Sequence, residues 1–165
     1  MLTSTKILKG LNGIVEIPGD KSISHRSIII PSITNGVSEV KNILKSKDIL
    51  RTINAFKLMG VKIKEKNNCL LIYGKGLHSL SKPKNKINLG NSGTSARLLI
   101  GLLSAQNFDS FLFGDCSLSN RPMDRIINPL KKMGADIGSN KNKLPIIVRG
   151  LFFIFCLKKI PITAP

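Results

Sequence analysis

The 165-residue chain has no tryptophan, one tyrosine at Tyr73 and only 9 acidic residues. With aromatics at 5%, it lacks the interleaved rings on which proteins stack single-stranded bases. Its core must come from Ile, Leu and Val. Cysteine is scarce: Cys69, Cys116 and Cys156 have neither the even count of a disulfide framework nor metal-ligand spacing. That fits a reducing, cytoplasmic setting. His25 and His78 are too far apart to suggest a metal pair, so no metal site is expected. Residues 1–10 carry no signal-type apolar core, and the apolar run 151–157 falls far short of the roughly 20 residues of a membrane helix. No membrane partner is expected.

The shortage of acid leaves 26 Lys and Arg, a formal charge of +17. A charge of that size usually points to nucleic acid, with steep salt dependence. Here the excess is lysine, 20 against 6 arginines, and it is spread along the chain rather than gathered in a stripe. It reads as composition, useful for steering small anions into a cleft, and nucleic acid is not expected as a partner. Hydrophobic content of 42% and mean hydropathy of +0.10 are globular values, and the length suits one domain.

An internal repeat organises the sequence. At an offset of 74, Asn54–Ile63 falls on Asn128–Ile137, and Leu70–Gly76 falls on Leu144–Gly150. Each copy reads as an amphipathic helix stopped by Met-Gly, then a strand, a polar turn and a second strand. Upstream, at an offset of 71, Arg26 falls on Arg97. The pattern predicts an α/β (α+β) fold of repeated βαβαββ units, about 18–76 and 87–150. Residues 1–17 form an N-terminal strand region, and 151–165 an apolar tail with no repeat partner.

The polar chemistry gathers where strands lead into helices. Ile14, Val15 and Ile17 read as a strand, Pro18-Gly19-Asp20 as a turn, and Ile28, Ile29 and Ile30 as the buried side of a helix. Ser22 and Ser24 are both N-cap candidates, so free N–H groups should point where Lys21 and Arg26 project, an arrangement suited to phosphate or carboxylate. In the second copy, Gly90-Asn91-Ser92-Gly93-Thr94-Ser95-Ala96-Arg97 is a small-residue turn into a helix. It is no P-loop, because Gly-Lys-Ser/Thr does not follow. A third segment, Gly114-Asp115 through Arg121-Pro122-Met123, places Arg121 at the mouth of a helix with Pro122 in its first turn. Arg125 reads as an ordinary surface ion-pair residue. On these residues alone, a non-catalytic anion-binding module is a standing alternative to an enzyme.

Together the three segments resemble the N-terminal part of the 3-phosphoshikimate 1-carboxyvinyltransferases, also called 5-enolpyruvylshikimate-3-phosphate synthases, over roughly residues 8–150. The resemblance implies transfer of the enolpyruvyl group of phosphoenolpyruvate to the 5-hydroxyl of shikimate 3-phosphate, without cofactor, by a usually monomeric enzyme. It implies that Lys21, Ser22 and Arg26 hold shikimate 3-phosphate. Phosphoenolpyruvate would meet Lys21, the Gly93 backbone and Arg121, with Asn91, Thr94 and Arg97 in support. The family's domain has three such units, of which two are present here. Its acid/base carboxylates are not matched by any acidic residue of this chain. The departure from the family pattern after Gly150 leads us to expect a truncated or frameshifted product, inactive alone.

Overall fold

The computed structural model describes residues 13–67 and 69–150; the apolar tail, 151–165, lies outside them. The first helix, α1 (Lys21–Ser32), starts one residue after its cap: Asp20 is extended, and its carboxylate accepts the Ile23 N–H at 2.7 Å. Ser22 and Ser24, the expected caps, therefore lie inside the helix. Asp20 is the residue that still has extended geometry at the end of the Pro18-Gly19 turn. Ser24 is buried instead and accepts the Leu44 N–H at 3.0 Å, fastening the loop that precedes the next helix. Helical spacing puts Lys21, His25, Ile28 and Ser32 on one stripe, and the last three of these are buried. Of the three isoleucines expected inside, only Ile28 is fully buried; Ile29 is partly covered and Ile30 is 54% exposed.

The strand expected at Ile14–Ile17 is not formed. The segment pairs with no strand among the described residues, and Ile14, Val15 and Ile17 are exposed. Apolar alternation gives a strand only where a neighbouring edge supplies hydrogen bonds.

After α1 come β1 (Asn35–Val40), α2 (Lys47–Leu58), β2 (Lys62–Lys66) and β3 (Cys69–Lys75), forming an antiparallel sheet in the order β1-β3-β2. A short 3₁₀ turn at Leu77–Ser79 leads to β4 (Ile87–Asn88), α3 (Gly93–Leu103), β5 (Ser110–Phe113), α4 (Cys116–Ser119), α5 (Asp124–Lys132), β6 (Ile137–Asn140) and β7 (Lys143–Val148). The second sheet runs β4-β5-β7-β6, with β4 parallel to β5. Its last three strands repeat the order of the first sheet.

The repeat is clearest where α2 and α5 end. Met59 and Met133 are the C-caps, and Gly60 and Gly134 follow with φ of +90° and +102°, a conformation that costs glycine little. The N–H of Gly60 meets Lys57 O and that of Val61 meets Phe56 O; Gly134 and Ala135 repeat both bonds to Lys131 O and Leu130 O. These are paired Schellman ends at the offset of 74. The helix starts keep a different register. Caps Asp20 and Ser92, and the bonds Ser24 N–H to Asp20 O and Ala96 N–H to Ser92 O, sit 72 apart. Arg26 and Arg97 are therefore not structural equivalents, but lie one helical position, about 100°, apart.

Two further expectations change. Helix α4 was not foreseen, and α5 begins at Asp124, so Pro122 lies in the link between them rather than in a first helical turn. One buried cluster, from Ile28 through Phe56, Ile72, Leu99 and Leu112 to Val148, runs through both halves.

Candidate functional site: an anion cleft between the two halves

Because β4 and β5 are parallel neighbours, the loops after them emerge at the same end of the sheet. The turn from β4 into α3 therefore meets the turn from β5 into α4. The Asp115 N–H bonds Gly90 O at 2.9 Å, locking the two together. Asp115 also caps α4 by accepting the Leu118 N–H at 2.8 Å. Arg121, just past α4, is thereby aimed back at the first turn. Its Nη2 donates to Asn91 Oδ1 at 2.5 Å and lies 3.4 Å from Ser117 Oγ.

Gly93, the first residue of α3, shows why that position is small. A Cβ there would lie 3.2 Å from Nη1 of Arg121 and 3.2 Å from Nη1 of Arg97. Arg97 is one turn along α3, and the missing side chain lets its guanidinium fold back over the helix end. Two cations thus converge on the N-terminus of an eleven-residue helix, whose dipole adds to their attraction for an anion. The cap, Ser92, accepts the Ser95 N–H at 3.2 Å. The Gly93 N–H donates to Asn91 O at 3.1 Å, while the Thr94 N–H has no acceptor among the described residues.

On the other side, Lys21 heads the buried stripe of α1 and pairs with Asp48 in the first turn of α2. Ser22 and Arg26, four residues apart, share the neighbouring exposed face and make no side-chain hydrogen bond or ion pair among the described residues. A cleft of about 330 Å³ lies between Lys47, Asp48 and Arg51 of α2 and Asn88, Gly90, Asn91, Gly114 and Asp115 of the two turns. Asp48, the partner of Lys21, and Asn91, the partner of Arg121, line the same cleft. The structure therefore gathers Asn91, Gly93, Arg97 and Arg121 into one cluster and sets Lys21 across the cleft. Thr94 is half-buried in the first turn of α3.

Asp48 and Arg51 were missed by sequence reasoning. They read only as the start of α2, and 27 residues separate Asp48 from Lys21. Arg51 packs its Nε 3.3 Å from where a Cβ of Gly90 would be, with Gly90 at φ +55°. Among the described residues no group of three or more His, Cys, Asp or Glu could hold a metal ion, and no helix is long and apolar enough to cross a membrane.

Two α/β units thus bring cations to the starts of two helices. The family model for EPSP synthase (3-phosphoshikimate 1-carboxyvinyltransferase) matches residues 5–165, a span that takes in the segment after Gly150. Similar curated proteins named 3-phosphoshikimate 1-carboxyvinyltransferase include that of Ruthia magnifica subsp. Calyptogena magnifica, 54% identical over 88% of this chain and 33% of its own length. That of Oenococcus oeni is 50% identical over 88% of this chain and 34% of its own. A solved structure of EPSP synthase from Acinetobacter baumannii matches with a TM-score of 0.79 and 48% identity, over 84% of this chain and 32% of that one. The chain belongs to the EPSP synthase family. It spans about a third of the length of the curated relatives it matches.

Proposed function

We propose that this chain forms one substrate-binding wall of a 3-phosphoshikimate 1-carboxyvinyltransferase of the cytoplasm. The enzyme transfers the enolpyruvyl group of phosphoenolpyruvate to the 5-hydroxyl of shikimate 3-phosphate and releases phosphate. The observation that carries the reading is the convergence of Arg97 and Arg121 on Gly93, across a cleft from the Lys21–Asp48 pair. Both substrates are anions, and phosphoenolpyruvate carries a phosphate and a carboxylate on one small skeleton. Two planar guanidiniums suit that shape. Ser22 and Arg26 on one face of α1 hold the phosphate of shikimate 3-phosphate, and Lys21 stands between the two ligands. Asp48 keeps the Lys21 ammonium oriented and leaves it when an anion arrives. No organic cofactor or metal has a part in this scheme. By the family resemblance, the carboxylates that move protons are not among the residues of this chain.

Titration calorimetry of the full chain with shikimate 3-phosphate tests the reading. Lys21→Ala and Arg26→Ala should each weaken binding by about tenfold or more, the effect of losing one charged hydrogen bond. Affinity unchanged by both substitutions would contradict it.

A further inference from the structure

His25 is fully buried and makes no hydrogen bond to either cluster of cations among the described residues. Its Nδ1 lies 2.9 Å from Thr52 Oγ1, Thr52 Oγ1 lies 2.8 Å from Ser95 Oγ, and Ser95 Oγ lies 2.6 Å from Ser92 Oγ. All four side chains are buried. They cross from α1 through α2 to the cap of α3. The row is therefore a direct polar connection between the helix bearing Lys21, Ser22 and Arg26 and the helix end beneath Arg97 and Arg121.

Each hydroxyl has one hydrogen to give, and Thr52 Oγ1 also has the Asp48 carbonyl at 3.3 Å as an acceptor. If His25 donates from Nδ1, Thr52 to Ser95 and Ser95 to Ser92, both the Nε2 lone pair and the Ser92 hydroxyl hydrogen are left without a partner among the described residues. In the reverse direction Nε2 carries an unpaired N–H. His25 Nε2 has no partner among the described residues, so each direction leaves a buried polar group unmet. In either direction the imidazole and the three hydroxyls form one continuous buried row that reaches the α3 cap.

We propose that His25 and Thr52 are positioning residues that hold the Ser92 cap, and so set the α3 anion end against the α1 anion end. Its meaning for catalysis rests on the proposed function; the row itself does not. The Ser95 N–H, bound to Ser92 Oγ, reports on the cap. In the full chain, followed by amide hydrogen exchange, Thr52→Val keeps the side-chain shape and removes the bridge. It should speed Ser95 exchange by about tenfold, the scale of a lost helix cap, while β3 amides keep their protection within twofold. His25→Leu should match it. His25→Asn, whose amide can stand where Nδ1 stood, should stay near the wild-type rate. Unchanged Ser95 exchange in a folded Thr52→Val chain would overturn the proposal, as would a failure of His25→Asn to outperform His25→Leu. If His25→Leu does not fold, Thr52→Val decides. Phosphoenolpyruvate affinity, measured on the same variants, should fall in parallel. An exchange effect in a chain that binds no phosphoenolpyruvate supports the positioning row and sinks the proposed function instead.

Discussion

The starts of α1 and α3 share a capping pattern and differ in electrostatics. At α1 the cap is the carboxylate of Asp20, which takes the Ile23 N–H, and the cations Lys21 and Arg26 sit on the helix itself. At α3 the cap is the neutral Ser92, the first residue is Gly93, and one cation, Arg97, sits a turn along the helix while the other, Arg121, folds in from beyond α4. A carboxylate cap competes with an incoming anion for the positive end of the helix. On the proposed reading α1 binds through side chains, whereas α3 offers its own N-terminus. On the proposed reading, a similar unit used twice gives two unlike anion sites, which differ in the cap and in the one cation, Arg121, that comes from outside its helix.

The harshest way to break this comparison is Gly93→Val. Branched carbons 3.2 Å from two guanidinium nitrogens must displace both arginines, and phosphoenolpyruvate affinity should drop by about 100-fold, the loss of two charged contacts. Gly101→Ala in the same helix meets nothing within 4 Å, so it should leave binding unchanged and raise stability by up to about 1 kcal/mol. Arg121→Ala should cost about tenfold for phosphoenolpyruvate and leave shikimate 3-phosphate within twofold; equal losses for both ligands would merge the two sites into one.

A milder probe is pH. Burial, and then the Lys21 ammonium, push the His25 imidazole below its ordinary value of 6.5, against an opposing pull from Asp48. The unfolded chain then takes up a proton near pH 6.5 that the folded chain refuses. Stability is therefore full above that pH and falls as pH drops below it. Urea unfolding at a series of pH values should show this slope, and His25→Asn should remove it. The smallest effect is expected from Asp20→Asn. It keeps a capping oxygen and deletes the charge, so shikimate 3-phosphate should bind two- to threefold tighter, on the scale of a surface helix-dipole interaction. Weaker binding would show that the Asp20 charge does not compete with the ligand.

What could be read in the sequence was what local rules decide. Met59-Gly60 and Met133-Gly134 mark helix ends by a motif that closes within a few residues, and the hairpins after them follow from alternation and a polar turn. The α1 cap was misread because Asp20, Ser22 and Ser24 are all good caps, and the choice depends on where the chain leaves its turn. The strand at Ile14–Ile17 was misread because its apolar pattern says nothing of a partner edge. Among the site residues, Gly93, Arg97 and Arg121 drew attention through their turns. Their convergence depends on β4 and β5 being parallel neighbours. Asp48 and Thr52 each meet α1 partners 27 residues away, contacts that no local spacing announces.

The central claim is that two distinct anion sites face one cleft. Amide chemical-shift mapping of the full chain with each substrate separately tests it most directly. Shikimate 3-phosphate should shift Lys21, Ser22 and Arg26, while phosphoenolpyruvate should shift Asn91 through Thr94 together with Arg121. Shifts common to both ligands and spread over surface lysines such as Lys82, Lys84 and Lys86 would contradict the account.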